Sequence, residues 1–251
     1  MHSLDSLFER FRRRERLALA RLLTWAADVE MARQVRAAFA HEPLPNVPVI
    51  AFTGSGGVGK STLIGRLIEH VRSQGKTVAV LACDPQSPLS GGALLGDRVR
   101  MNLRADDDGV FVRSVAASGG REAVADNLDL MIEILARFGF DVVLVETGGA
   151  GQGDTAVRQF ADVVVLLVQP EAGDELQWEK AGILEIADIV AVNKADLPAA
   201  ERVEAQLRAM LHLPGCPPKP VLRISGSKGE GLAELWSAIE TVFLKKNPPQ
   251  N

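Results

Sequence analysis

Cysteine is scarce in this 251-residue chain, and its scarcity excludes two kinds of protein. The two cysteines, Cys83 and Cys216, lie in different segments and form no Cys-x-x-Cys pair. Neither a disulfide framework nor a zinc site is therefore supported. The histidines are scattered as well, which argues against a cluster that carries a metal. They are His2, His41, His70 and His212.

Long apolar runs and a basic excess are also missing. No run reaches the roughly 18 apolar residues of a transmembrane helix, and the N-terminus lacks the apolar core of a signal peptide. We therefore expect no membrane contact and a cytoplasmic location, or an organellar one after removal of a transit segment. The formal net charge of −4 argues against a nucleic-acid partner. The locally basic first forty residues contain interspersed acids, which favours solvated helix faces.

A glycine-rich stretch, Gly54-Ser55-Gly56-Gly57-Val58-Gly59-Lys60-Ser61-Thr62, dominates what is present. A glycine, four residues and then Gly-Lys-Ser is the P-loop pattern, and it lies between a predicted strand and a predicted helix. Glycines let consecutive N–H groups point at a polyphosphate, and the helix adds its positive end. We predict that Lys60 reaches the β and γ phosphates and that the Ser61 hydroxyl binds Mg²⁺. The predicted phosphate-binding residues are Gly56, Gly57, Val58, Gly59, Lys60, Ser61 and Thr62; the alternative is a glycine-rich turn without a ligand.

Continuous apolar runs alternate with helical patterns along the rest of the chain. Runs without polar alternation indicate strands covered on both faces, hence an α/β fold: a three-layer P-loop NTPase with a mostly parallel, doubly wound sheet. The predicted strands are 47–52, 77–82, 110–115, 141–145, 163–169, 189–193 and 221–224. The predicted helices are 62–72, 121–138, 176–187, 199–212 and 231–245.

The N-terminal region predicts two helices within residues 3–40, followed by a proline-rich linker at 41–48. We accordingly divide the chain into a helical extension packed on the core (1–44), a P-loop GTPase domain (45–246) and a frayed tail (247–251).

The tetrapeptide Asn193-Lys194-Ala195-Asp196 follows a predicted strand and indicates which base is bound. The Asp196 carboxylate can accept hydrogen bonds from N1–H and the exocyclic amine of guanine, whereas adenine offers no such pair of donors. Lys194 can lay its aliphatic stem along the base. The tetrapeptide alone is a weak signal, but after a strand of a P-loop domain it favours GTP over ATP.

Two further strand ends carry acids that suit a metal. The apolar strand that ends at Glu146 has the Walker B arrangement, which holds Mg²⁺ usually through water. Asp84, at the end of another strand, is either a second Mg²⁺ or nucleophile-positioning acid or a turn residue before Pro85. In the glycine-rich loop 148–154, Gln152 is the candidate for orienting the attacking water, and a solvent-exposed amide is its alternative.

Several longer motifs closely resemble one family. They are Cys83-Asp84-Pro85-Gln86-Ser87-Pro88, the segment 91–101, Val145-Glu146-Thr147, the segment 172–177 and Gly182-Ile183-Leu184-Glu185-Ile186-Ala187-Asp188. Over about residues 45–245 the chain resembles the G-protein chaperones of adenosylcobalamin-dependent acyl-CoA mutases, which include the methylmalonyl-CoA mutase-associated GTPases, the methylmalonic aciduria type A protein and the ArgK-like proteins.

The resemblance implies three nucleotide-sensing segments: a first switch at 84–101, in which Asp84 and Asp97 sense Mg²⁺ or nucleotide, a second at 146–154 and a third at 169–180. It also implies that the backbone of the loop containing Ser225, Gly226 and Ser227 faces guanine O6, although Gly226 replaces the more usual alanine. The family's helical dimerisation arm does not follow the helix at 231–245, so a homodimer is left open.

The function implied by the resemblance is that of a slow GTPase, stimulated by its partner, that gates cofactor loading and protection of an adenosylcobalamin-dependent acyl-CoA mutase. GTP or GDP and Mg²⁺ are the expected ligands. Cobalamin belongs to the mutase, because the chain lacks an Asp-x-His-x-x-Gly element. The alternatives are a metal-insertion GTPase of the nickel-chaperone type and a kinase or transport-coupled ATPase.

Overall fold

A computed structural model describes residues 4–85, 107–117, 125–148, 152–170, 181–212 and 218–248. Asp97, most of the first switch and residues 171–180 of the third switch lie outside these ranges.

The described residues form a seven-stranded sheet in which every neighbouring pair of strands is parallel. Its order is β3-β2-β4-β1-β5-β6-β7. The strand β1 is central, and the chain moves outward from it in both directions, which confirms the predicted doubly wound α/β fold. The strands are β1 (Val49–Thr53), β2 (Val78–Pro85), β3 (Val110–Ala117), β4 (Val142–Glu146), β5 (Val163–Val168), β6 (Ile189–Val192) and β7 (Val221–Arg223).

Eight α-helices lie within the described ranges. They are α1 (Leu4–Arg12), α2 (Arg16–Ala26), α3 (Val29–Phe39), α4 (Lys60–Ser73), α5 (Leu128–Phe138), α6 (Ala181–Ile186), α7 (Ala200–Leu211) and α8 (Leu232–Lys246). A 3₁₀ helix, Gln152–Gln159, precedes β5. None of these helices is long and apolar enough to cross a membrane.

The N-terminal region contains three helices, so the prediction of two was wrong. Arg14 has a left-handed φ of 63°, which breaks the first helix from the second. Asp28 then separates the second from the third, because its carboxylate caps α3 by accepting hydrogen bonds from the backbone N–H groups of Glu30 and Met31. Both breaks are polar and short, so the apolar pattern runs across them.

Helices cover both faces of the sheet. The N-terminal helices and α5 pack on one face, and α6 and α7 continue that layer over β5 and β6. The helices α4 and α8 cover the other face. Alternate residues of each central strand therefore enter different cores, which explains why the strand sequences are apolar at every position.

Arg137 joins the N-terminal helices to α5. Its side chain is 7% exposed and forms an ion pair with Glu133, and its guanidinium donates to the carbonyl oxygens of Glu42 at 2.8 Å and Pro43 at 3.1 Å. It also lies over the ring of Phe39, 4.7 Å from the centroid. These contacts fix the segment that leads from α3 into β1.

Substitution of two leucines of α2 tests whether the N-terminal helices are part of the core. Leu19 is 0% exposed and Leu17 is 77% exposed. Leu19→Ala should lower the free energy of unfolding by about 2–5 kcal/mol, because it leaves a cavity. Leu17→Ala, with the same change in helix propensity, should alter it by less than about 0.5 kcal/mol. Urea denaturation measures both values, and similar losses would contradict this packing.

Candidate nucleotide-binding site

The loop between β1 and α4 has three glycines with left-handed φ, Gly54, Gly57 and Gly59, and at two of them there is also no room for a side chain. Gly54 has a φ of 142°, and a Cβ there would collide with the carbonyl oxygen of Leu167. Gly59 has a φ of 96°, and a Cβ would lie 2.6 Å from Asn193 Nδ2. At Gly56 and Gly57, in contrast, a Cβ would meet nothing within 4 Å. The loop is therefore packed at its two ends and open along its middle, where phosphates are predicted to bind.

Lys60 folds back over this loop from the first turn of α4. Its ammonium donates to the carbonyl oxygens of Gly54 at 2.8 Å and Ser55 at 3.3 Å. The side chain is buried, so the positive charge is held among backbone groups of the loop. A lysine ammonium beside the loop is in position to bind a phosphate, because its positive charge complements the negative charge of a polyphosphate.

Ser61 and Glu146 provide a pair of oxygen ligands next to the loop. The Ser61 hydroxyl donates to Glu146 Oε1 at 2.7 Å, and both residues are buried. Glu146 is brought here by the sheet register, in which Phe52 of β1 pairs with Glu146 of β4. Mg²⁺ prefers oxygen ligands, so these residues fit the ion that the sequence predicts.

The other predicted catalytic residues are placed only in part. Asp84 belongs to β2, two residues beyond Ala82, which pairs with Glu146. Its backbone therefore reaches the same edge of the sheet as Glu146. Gln152 is the first residue of the 3₁₀ helix, and Asp97 lies outside the described residues. The roles of all three stay predictions.

Asn193 connects the phosphate loop to the loop that follows β7. Its side-chain amide donates to the carbonyl oxygen of Val58 at 2.8 Å and accepts from the Gly226 N–H at 3.0 Å. Asn193 is 3% exposed. The N–H of Gly226, predicted to face guanine O6, thus binds a protein oxygen in this structure. This bridging role was missed, because its partners are far away in the sequence.

Asp196, the predicted base-reading carboxylate, lies beside the same loop. Its Oδ1 accepts from the Ser225 hydroxyl at 2.9 Å, and its Oδ2 is 3.7 Å from Lys228 Nζ. The bond from Ser225, with a smaller contribution from Lys228, holds the pKa of the Asp196 carboxyl below its ordinary value. The group is therefore an ionised acceptor at neutral pH. Lys194 precedes it with a left-handed φ of 57°, and Ser227 Oγ is 3.3 Å from Ser225 Oγ.

Two buried polar atoms lie at this edge, in residues that belong to the predicted second and third switches but were given no individual role. Thr147 Oγ1, immediately after β4, and Gln169 Oε1, immediately after β5, have no hydrogen-bond partner in the part of the chain that the structure describes. These strands flank β1 and its phosphate loop. Buried polar atoms are usually satisfied, so two such atoms beside the phosphate loop fit a polar ligand at this edge.

Comparison with known proteins identifies the family. A family model described as "Methylmalonyl Co-A mutase-associated GTPase MeaB" matches residues 19–247. The chain belongs to this family of P-loop GTPases. A Pyrococcus horikoshii protein that bears a GTPase name is 40% identical over 247 residues, which cover 96% of this chain and 78% of that protein.

Two further relatives match most of this chain. The mitochondrial methylmalonic aciduria type A homolog of Mus musculus is 35% identical over 94% of this chain and 56% of its own length. The fused isobutyryl-CoA mutase of Nocardia farcinica is 43% identical over 184 residues, which are 72% of this chain and 17% of that protein.

Solved structures support the fold alone. The LAO/AO transport system kinase superposes with a TM-score of 0.73 at 24% identity, covering 98% of this chain and 82% of that chain. Nickel-bound HypB from Helicobacter pylori gives 0.58 at 18% identity, covering 86% and 93%. At these identities the structural similarity supports neither of the alternative functions, kinase or nickel insertion.

Gly226 offers a test of how the loop after β7 is held. A Cβ at Gly226 would lie 3.4 Å from backbone atoms of Leu63, an ordinary contact, and φ lies outside the left-handed region. Gly226→Ala should therefore raise the free energy of unfolding by about 0.4–1 kcal/mol, because it restricts the unfolded chain. GDP affinity should change less than about twofold, because the Asn193 bond is to the backbone.

Gly231→Ala is the matched control, since φ is 74° and a Cβ would lie 2.5 Å from the carbonyl oxygen of Arg223. It should destabilise the protein by more than about 1 kcal/mol. Thermal and urea unfolding distinguish the two variants. Destabilisation of Gly226→Ala comparable to that of Gly231→Ala would contradict the backbone placement described for residue 226.

Proposed function

We propose that this GTPase gates cofactor loading and protection of an adenosylcobalamin-dependent acyl-CoA mutase. The observation that carries the proposal is the relative from Nocardia farcinica, in which sequence 43% identical to this chain is part of a polypeptide named as a mutase. A segment that is fused to a mutase in a relative is expected to act on that mutase. The mutase-associated family description supports the same assignment.

The chemistry assigned to the site follows from the groups already described. GTP is the proposed substrate, with its phosphates held by the backbone of residues 56–62 and by Lys60. Ser61, Glu146, Asp84 and Asp97 are the proposed Mg²⁺ ligands, and the ion would neutralise charge on the β and γ phosphates. Gln152 is proposed to orient the attacking water. Asp196 is proposed to read guanine, with Asn193 and Ser225 positioning the surrounding loops and Lys194, Gly226 and Ser227 completing the pocket.

Hydrolysis is proposed to be slow until a partner binds. The sequence motifs assign no arginine finger, and GTPases without one lose about 10³–10⁵ in rate. The proposed partner either supplies the missing charge or repositions the water. Nucleotide state, rather than turnover, would then be the property that the mutase senses.

Asp196→Asn tests the assignment of the base. The variant replaces a charged acceptor of two guanine donors by a neutral amide, so GDP affinity should fall about 10- to 100-fold. The Asn amide can donate to the O2 carbonyl of xanthine, so XDP affinity should rise. Titration calorimetry measures both. Asp108→Asn, at an exposed carboxylate before β3, is the control, and unchanged GDP binding by Asp196→Asn would place the base elsewhere.

Stimulation by a mutase tests the chaperone role. GTP hydrolysis should accelerate at least about tenfold when the adenosylcobalamin-dependent acyl-CoA mutase purified from the same cells is added, because the partner completes the site. Phosphate release measured at saturating GTP gives the rate. Lys60→Ala should abolish turnover with and without the mutase. An unchanged wild-type rate would refute the chaperone role and leave the GTPase assignment intact.

A further inference from the structure

We propose that Arg158 is a positioning residue for GTP hydrolysis. Its ion pair with Asp188 holds the 3₁₀ helix that begins at Gln152, and thereby sets the hydrolysis rate without contributing to nucleotide affinity. This inference rests on the proposed role of Gln152 in orienting the attacking water. Arg158 belongs to none of the motifs found in the sequence, and Asp188 closes one of them without a role of its own.

The 3₁₀ helix needs support from the rest of the protein. It has eight residues, Gln152–Gln159, whereas 3₁₀ helices longer than three or four residues are uncommon because their hydrogen bonds are poorly aligned. Val157 is fully buried, and Ala156 and Phe160 pack against the same core cluster. Apolar contacts are non-directional, so they keep the helix on the core but do not fix its rotation or its position along its axis.

Arg158 supplies a directional contact in the last turn of this helix. Its Nη1 lies 2.6 Å from Asp188 Oδ2, and its Nη2 makes a longer contact of 3.4 Å with the carbonyl oxygen of Asp162. The guanidinium is planar and its donors form a rigid fork. Contacts to two different residues therefore define its orientation and fix the end of the helix.

Asp188 is itself held firmly by the sheet. Its backbone N–H donates to the Val164 carbonyl oxygen at 2.8 Å, and its Oδ2 accepts from the Val164 N–H at 2.9 Å. Its Oδ1 accepts from Lys246 Nζ of α8 at 2.5 Å. The side chain is 16% exposed, so salt screens its ion pairs less than those at the surface. Asp188 thus ties the 3₁₀ helix to the start of β5.

Arg158 acts from the edge of the sheet opposite to the phosphate loop. Its partners Asp162 and Asp188 immediately precede β5 and β6, where the strands begin, whereas the phosphate loop follows β1 where the strands end. At a rise of about 2.0 Å per residue, the helix separates the backbones of Arg158 and Gln152 by about 12 Å. Arg158 therefore affects catalysis through the helix. A misplacement of about 1 Å in a catalytic group can cost about 10²-fold in rate.

Removal of Arg158 should leave the protein folded. Asp188 would still pair with Lys246 and accept from the Val164 N–H, so no buried charge would lose all its partners. Replacing Asp188 would instead disturb Arg158, Lys246 and the backbone of β5 together. Arg158→Met is therefore the informative variant, since it keeps an unbranched apolar stem and removes the ion pair alone.

The test measures single-turnover GTP hydrolysis together with GDP affinity. Arg158→Met should slow hydrolysis about tenfold, because the helix that carries Gln152 is no longer fixed. GDP affinity should change less than about twofold, because the residues proposed to hold the nucleotide lie on other elements. Arg158→Lys should restore most of the rate, since an ammonium can still pair with Asp188.

Arg208→Met is the matched control. Arg208 of α7 also pairs with a carboxylate, Glu204, at 2.8 Å and donates to a backbone carbonyl oxygen, that of Val221, at 2.8 Å. Its loss should change neither the hydrolysis rate nor GDP affinity.

A double variant shows whether Arg158 acts through Gln152. Adding Arg158→Met to Gln152→Ala should slow hydrolysis by less than about a further twofold, because the positioned side chain is already gone. Losses that multiply in the double variant would mean that Arg158 acts on another group, which overturns the proposal.

The remaining outcomes are equally decisive. An unchanged hydrolysis rate in Arg158→Met overturns the proposal. So does a loss of GDP affinity as large as the loss of rate, because the ion pair would then only stabilise the fold. A slowed Gln152→Ala with an unaffected Arg158→Met rejects Arg158 alone, whereas a wild-type rate in Gln152→Ala rejects the proposed role of Gln152 and this inference with it.

Discussion

The buried side-chain amide of Asn193 is the interaction on which the site depends. It donates to the P-loop at Val58 and accepts from the loop after β7 at Gly226, so it fixes the distance between the residues predicted to bind phosphate and those predicted to bind the base. Because the amide is buried, losing either partner would leave a polar atom unsatisfied. The two loops are therefore held together before any nucleotide binds, which reduces the ordering cost of binding.

The parallel sheet explains why one side-chain amide is enough to join the two loops. All strands end at one edge, so the P-loop after β1, Glu146 at the end of β4 and Asn193 after β6 converge there without any loop crossing the sheet. The register of Phe52 with Glu146 places the acid next to Ser61. The backbone N–H of Asn193 donates to Val168 of β5, so the residue that bridges the loops is itself fixed by the central strands.

The sequence predicted the fold because its signals are local. Uninterrupted apolar runs identify the buried strands, and the P-loop motif fixes one loop in detail. The third N-terminal helix was missed because the break at Asp28 is short and the apolar pattern continues on either side of it. The bridge made by Asn193 was also missed, because its two bonds join residues 135 and 33 positions apart. The domain boundaries and the residue roles in catalysis stay predictions, since they concern ligands and partners rather than packing.

The loop after β7 is well ordered by hydrogen bonds although it contains Gly226, a residue that favours backbone flexibility. A glycine costs backbone entropy, but here three hydrogen bonds replace the missing side chain: Asn193 takes the Gly226 N–H, and the Ser225 carbonyl oxygen closes the turn with Gly229 and Glu230. The loop is therefore shaped by its backbone. Because these bonds fix the turn, the Ser225 hydroxyl is placed to donate to Asp196 Oδ1 at 2.9 Å, so the carboxylate after β6 and the loop after β7 form one ordered unit.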